Sequence, residues 1–163
     1  MPDDSYGMRL ALAEAERAYA LGEVPIGAVI LNDAGELIAS GYNLRETEHD
    51  ATAHAELIAI RCACQKLGRW RLTGLTLYVT IEPCPMCAGA IVMSRISRVV
   101  YGSTDAKAGA CESLFNITGC PALNHQPEIR AGVLADECSE IIKRFFRERR
   151  KIRFPKYRRS YPR

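Results

Sequence analysis

The stretch TIEPCPMCAGA, Thr80 to Ala90, most narrows what this chain can fold into. It closes an apolar, β-branched run, Leu75 to Glu82, and opens a small-residue apolar run suited to a helix. Pro85 fits the first helical position, where an N–H would lack an intrahelical partner anyway. Cys84 then falls at the N-cap and Cys87 in the first turn, with both sulfurs on one side of the helix tip. The positive end of the helix dipole favours thiolate there, the form a metal binds. Taken alone, the pair reads as buried thiols, as a redox motif or as two ligands of a metal.

The rest of the chain supplies the architecture. Met8, Ala11, Leu12, Ala15, Ala18 and Tyr19 recur at helical spacing, and Gly22 stops them, which predicts a helix over about residues 4–21. VPIGAVIL, the turn NDAGE and LIASGYN predict a hairpin. ATAHAELIAIRCACQKLG predicts a helix ending at Gly68. A strand at LTLYVTIE, a helix at PMCAGAIVMSR and a strand at RVVYG follow. Residues 103–127 read as mostly loop, with a short helix near Leu114. EIRAGVL supplies a last short strand and DECSEIIKRFFRERRK a final helix. Strands alternating with helices imply an α/β fold in three layers, α/β/α, around a sheet of about five strands. The opening hairpin makes that sheet mixed.

The chain has 163 residues, enough for one domain that buries roughly 70% of its unfolded surface without a staple. We expect one domain over residues 1–151 and a basic extension over 152–163. No run of about 18 apolar residues predicts a membrane span. The acidic N-terminus MPDDSYGM lacks the apolar segment of a signal peptide. Seven cysteines, an odd number, then fit a reducing, cytoplasmic setting. Most of them, Cys62, Cys64, Cys111, Cys120 and Cys138, read as small buried hydrophobes.

Charge is divided unevenly. From Lys143 to Arg163 there are eleven Lys and Arg against one acidic residue, Glu148; the whole chain has 22 and 19. An acidic body with a basic C-terminus suggests a polyanionic partner such as nucleic acid, or else a solvated helix end.

The metal reading of Cys84 and Cys87 needs a further ligand. Structural zinc sites use four protein ligands, catalytic ones about three plus water. There is no second Cys-x-x-Cys, and Cys62 and Cys64 lie on opposite sides of a predicted helix, so a closed four-cysteine site is disfavoured. His54 and Glu56, in HAE, also stand at a helix start, where both can border one site. Such helix starts are where open α/β sheets place their ligands. His54, Cys84 and Cys87 can therefore form an open site with Glu56 beside the metal. The composite H-x-E, then P-C-x-x-C fewer than thirty residues on, is identified as the zinc nucleobase deaminase signature. Zinc provides a nucleophile at neutral pH by lowering the pKa of water from 15.7 to about 7. A carboxylate free of the metal, Glu56, is needed to move protons to the ring nitrogen and the departing amine.

Beyond the signature, the chain resembles the bacterial tRNA-specific adenosine deaminases. The resemblance is carried by EVPIGAVI, GYN, HDATAHAELIAIR, LTLYVTIEPCPMCAGAIVMSRISRVVYG, DAKAGA, NH and GVLADECSEIIKRFFRERR. It implies a cytidine deaminase-like fold, a homodimer, one Zn²⁺ per subunit, and hydrolysis of the wobble adenosine in the tRNA anticodon stem-loop to inosine. It also implies zinc ligation by His54, Cys84 and Cys87, and a proton shuttle at Glu56. Asn43 matches a position that hydrogen-bonds the flipped base; otherwise it reads as a strand-end turn residue. Asp105 and Lys107 match a loop touching anticodon nucleotides. Phe145, Phe146, Arg149 and Arg150 match an RNA-facing helix, although one of two adjacent phenylalanines is expected in the core. Ala51 departs from the proline usual there, which would loosen the loop entering the zinc helix. Two other classes compete: a deaminase of a free base or nucleoside, and a zinc-stabilised RNA-binding module without catalysis.

Overall fold

Strand β1 (Gly27–Leu31) is buried at all five residues, so its sheet must be covered on both faces. Successive side chains supply the two faces: Ala28 and Ile30 pack into one apolar layer, Val29 and Leu31 into the other. A computed structural model describes residues 3–157. Within them, α1 (Asp4–Ala20) precedes β1, and β2 (Leu37–Tyr42), α2 (Ala55–Leu67), β3 (Thr76–Ile81) and α3 (Pro85–Ser94) follow. The chain continues through β4 (Arg98–Ser103), β5 (Glu128–Arg130) and α4 (Ala135–Tyr157).

The sheet order is β2-β1-β3-β4-β5. β1 is antiparallel to β2 and β3, while β3, β4 and β5 are parallel. The sheet is thus mixed and five-stranded, as the hairpin and helical crossovers require. Ala55, Ala59 and Ala63 of α2 and Ile91 of α3 fill one layer; Met8 and Ala11 of α1 and Cys138 of α4 fill the other. Gly27 lets α1 approach β1 closely, since a Cβ there would collide with the Ala11 carbonyl and the Ala15 N–H. The three layers put the starts of α2 and α3 next to each other at one end of the sheet.

Four expectations need correction at their edges. α2 starts at Ala55, not near residue 51, because Asp50 Oδ1 accepts from Thr52 N and Oγ1 at 2.8 and 2.7 Å and turns the chain. Ala51, expected to loosen this loop, sits in that pinned turn. No helix forms near Leu114, because the N–H groups of Cys111, Glu112 and Ser113 donate to the Glu82 carboxylate. β5 stops at Arg130, and the chain then turns through Gly132 at φ 82°. α4 does not end near Lys151; its backbone runs to Tyr157, with no glycine or capping residue in RERRKIR to stop it. The 151/152 boundary therefore lies inside α4, and residues 158–163 of the basic extension lie outside the described residues. No helix among the described residues is long and apolar enough to cross a membrane.

Candidate active site

Two helix starts carry the chemistry, and both lack an ordinary cap. His54 is the N-cap of α2 and Cys84 that of α3, each with extended backbone and no side-chain capping bond. Pro85 is the first residue of α3. Residues that cap well stabilise a helix by roughly 0.5–2 kcal/mol, which His and Cys forgo here. Their side chains turn instead towards one another. His54 Nδ1 lies 3.6 Å from Cys84 Sγ and 3.6 Å from Cys87 Sγ.

The three ligand atoms all lie within 4.8 Å of one another. A tetrahedral zinc ion with bonds of about 2.3 Å to sulfur and 2.0–2.1 Å to nitrogen would set nitrogen and sulfur roughly 3.6 Å apart. The donor set fits zinc in chemistry and in spacing, and three protein ligands leave a fourth position open. Cys87 is fully buried beneath the site, while His54 and Cys84 line its floor. A hydrogen bond with Cys87 holds the Cys84 thiol down at about 4, with His54 adding to the effect. The Cys87 thiol is pushed upward by the Cys84 sulfur and by burial. His54 is raised by its bond to Cys84.

Glu56 is 3% exposed, one residue into α2, and outside the ligand trio. Burial is the largest influence on its carboxyl and pushes it up to about 7. A cavity of about 160 Å³ opens over these groups, walled by Asn43, Arg45, Glu82 and Asp105 among others. Asn43 lines the cavity and also closes a turn. Its Nδ2 donates to the Val24 carbonyl at 3.2 Å, and its Oδ1 accepts from Arg45 N at 3.1 Å, closing a turn. One amide hydrogen and one lone pair remain for a ligand.

Asp105 reaches the cavity, whereas Lys107 is exposed and lies outside its lining. Asp105 Oδ1 accepts from Lys107 N and Ala108 N, so it organises its own turn. None of the four α4 residues reaches the cavity. Phe145 is 5% exposed and packs edge-on against Tyr19 and Phe146, so its ring is not available to stack on RNA. Phe146 is 45% exposed and shares a shallow surface groove with Lys143, Arg147 and Arg150. Arg149 donates to the Gly22 carbonyl and lies over the Phe145 ring, joining α4 to the end of α1.

Sequence reasoning missed Arg45 and Glu82 in the cavity wall, and Lys143 and Arg147 in the α4 groove. Glu82 carried a signal: an acid ending an apolar strand just before the Pro-Cys pair. Burial pushes Glu82 up, but hydrogen bonds from Ser113, Glu112 and Asp105 outweigh it and hold the carboxyl below its ordinary range. Lys143, Arg147 and Arg150 recur at i, i+4 and i+7, which places them on one helical face.

An open His-Cys-Cys site with a buried glutamate alongside, at the helix starts of a three-layer sheet, defines a zinc-dependent deaminase. Residues 1–103 match the family described as the cytidine and deoxycytidylate deaminase zinc-binding region. The chain belongs to this deaminase family and, within it, to the tRNA-specific adenosine deaminases. It is 52% identical over 151 residues to the tRNA-specific adenosine deaminase of Bacillus subtilis, covering 93% of each chain. Identity to the Haemophilus influenzae protein of the same name is 49% over 147 residues, covering 90% of this chain and 85% of that one. A solved structure from a study of A-to-I editing by tRNA deaminases at the wobble position superposes with a TM-score of 0.80 at 47% identity. That match covers 84% of this chain and 99% of the other.

Proposed function

We propose that this protein hydrolyses the wobble adenosine of a tRNA anticodon to inosine, with release of ammonia. The observation that carries the deaminase chemistry is a buried Glu56 beside, and not within, the His54, Cys84, Cys87 trio. The three ligands would hold one Zn²⁺ per subunit. When bound, zinc supplies a nucleophile at neutral pH by acidifying water. Glu56 would take one proton of the attacking water and pass it to the ring nitrogen beside C6 of adenine, then take the remaining proton of that oxygen and deliver it to the departing amine. The free hydrogen-bonding positions of Asn43 orient the base. The cavity walls take it out of bulk water after it has been flipped from the loop.

RNA recognition is spread more widely. Asp105 and Lys107 contact anticodon-loop nucleotides next to the flipped base. Phe146 offers an exposed ring for stacking, and Arg150, with Lys143 and Arg147, neutralises phosphates. Arg149 and Phe145 support this face from behind. The basic extension, residues 152–163, adds charge to the same task. We also propose a homodimer in the cytoplasm; all seven cysteines are free, as a reducing compartment requires.

Ammonia release from an anticodon stem-loop, compared with free adenosine, cytidine and guanine, tests the reading. Turnover of the stem-loop alone is the expected result. Turnover of a free base at equal or higher kcat/KM would make the protein a small-molecule deaminase. Release from none of the four would leave a zinc-stabilised RNA-binding module.

A further inference from the structure

Glu82 is buried to 2% exposure, yet it is one of the most fully engaged groups in the molecule. One oxygen, Oε2, accepts from the backbone N–H groups of Cys111, Glu112 and Ser113 at 3.2, 3.1 and 3.0 Å. The other, Oε1, accepts from Asp105 N at 3.3 Å and from the Ser113 hydroxyl. A carboxylate has about four lone-pair sites, so five donors leave it none for acid–base work. Although Glu82 borders the cavity, it is not a second proton shuttle.

The five donors bracket a single loop, residues 105–113, and enter it at both ends. Gly109 in its middle lies so close that a Cβ there would strike the Glu82 carboxylate. The loop contains no helix or strand; Glu82 ties its two ends together, while the Asp105 carboxylate caps the turn between them. A second buried carboxylate, Glu23, 1% exposed, accepts from Glu46 N at 2.9 and 3.1 Å, next to Arg45 of the cavity lining.

We infer that Glu82 is a positioning residue for substrate: it holds the 105–113 loop so that Asp105 stands at the cavity mouth, facing the nucleotide next to the flipped base. This rests on the proposed contact between Asp105 and RNA. A charged oxygen suits this place because three N–H groups converge on one atom and each bond is stronger to an ionised acceptor. Glutamine has only one acceptor oxygen. If that oxygen keeps Cys111, Glu112 and Ser113, the amide NH₂ faces the Asp105 N–H, donor against donor. Glu82→Gln therefore frees the Asp105 end of the loop selectively.

A double-mutant cycle on stem-loop affinity tests the inference. Glu82→Gln and Asp105→Ala should each weaken binding about tenfold, and the double variant no more than Asp105→Ala alone, since residues in one network couple strongly. Zinc content should stay near one per chain in all three. Amide hydrogen exchange should quicken at Asp105 in Glu82→Gln and stay slow in β3, a pattern that general loss of stability would not give. Ser113→Ala, which leaves Glu82 itself intact, should shift affinity in the same direction by less. Losses that multiply in the double variant, or full affinity in Glu82→Gln, would overturn the inference alone. Wild-type affinity in Asp105→Ala would remove the RNA role of the loop as well, and so separate that failure from this one.

Discussion

α1 and the pair α2 and α3 begin in opposite ways. α1 starts on Asp3, whose carboxylate accepts from Ser5 N at 3.2 Å, and Asp4 adds an acid to the first turn. Both features satisfy the positive end of a helix. α2 and α3 start on His54 and Cys84, which cap nothing and turn towards each other. α1 is held to the fold by local rules and by Asp4, which binds Arg98 through both oxygens at 2.6 and 2.9 Å. α2 and α3 are joined by the group their starts can share. A chain that breaks a strong local preference twice, at two ends that meet, marks the place where function outweighs stability.

The sharpest way to break that contrast is to remove a shared ligand. Cys87→Ala should take zinc well below one per chain by elemental analysis. Activity should fall to background, further than the ~10²–10⁴-fold expected from losing an acid–base group. Thermal stability should fall as well, because an ion that binds only the native state stabilises it. Full zinc content in this variant would mean that the two helix starts are not joined through Cys87.

Next in size is Glu56→Ala. It should keep zinc and fold, and lose at least ~10²-fold in single-turnover rate on a stem-loop. Loss of zinc would place Glu56 among the ligands, and α2 would then present two metal-binding side chains where one is proposed.

The same contrast explains what could be read from the sequence. The start of α3 was legible because Pro85 marks a first helical position and a buried strand ends just before it. His54 was legible only in combination with the two cysteines, since one histidine at a helix end has many uses. The run that predicts α2 begins four residues early, at Ala51, although HAE itself reads correctly as a helix start: Ala51, Thr52 and Ala53 look helical, and the Asp50 side chain turns them away. Glu82 was not legible as a hub, because its five donors lie 23 to 31 residues further along the chain and follow no period. Which phenylalanine is buried could have been found. Cys138, Ile141 and Phe145 form a stripe at i, i+3 and i+7, and all three are buried.

The smallest expected effect belongs to the helix that obeys the rules. Asp4 joins α1 to β4 through Arg98, which also binds Glu128 at 3.1 Å, and it accepts from the Tyr78 hydroxyl at 3.2 Å. The hydrogen bond from Arg98 is the main influence that holds its carboxyl below the ordinary value of 3.8, against some opposition from burial. A group with a lowered pKa in the folded state contributes stability that is complete above its unfolded value. That contribution is lost as pH falls through the folded value. Asp4→Asn keeps the shape and removes the charge, so it should cost about 1.5–3 kcal/mol at pH 7, the range for hydrogen bonds to charged groups. Zinc content and turnover should not change. As pH drops below 3.8 the gap between the two proteins should begin to narrow, and it should close once the pH has passed the lower folded value. Urea unfolding of both at pH 7 and at pH 3 measures this, and any release of zinc in acid affects both alike. A gap of equal size at the two pH values would show that Asp4 supports α1 by shape alone. The pairing with Arg98 would then add nothing to the start of this helix, and the contrast with α2 and α3 would rest on capping by Asp3 only.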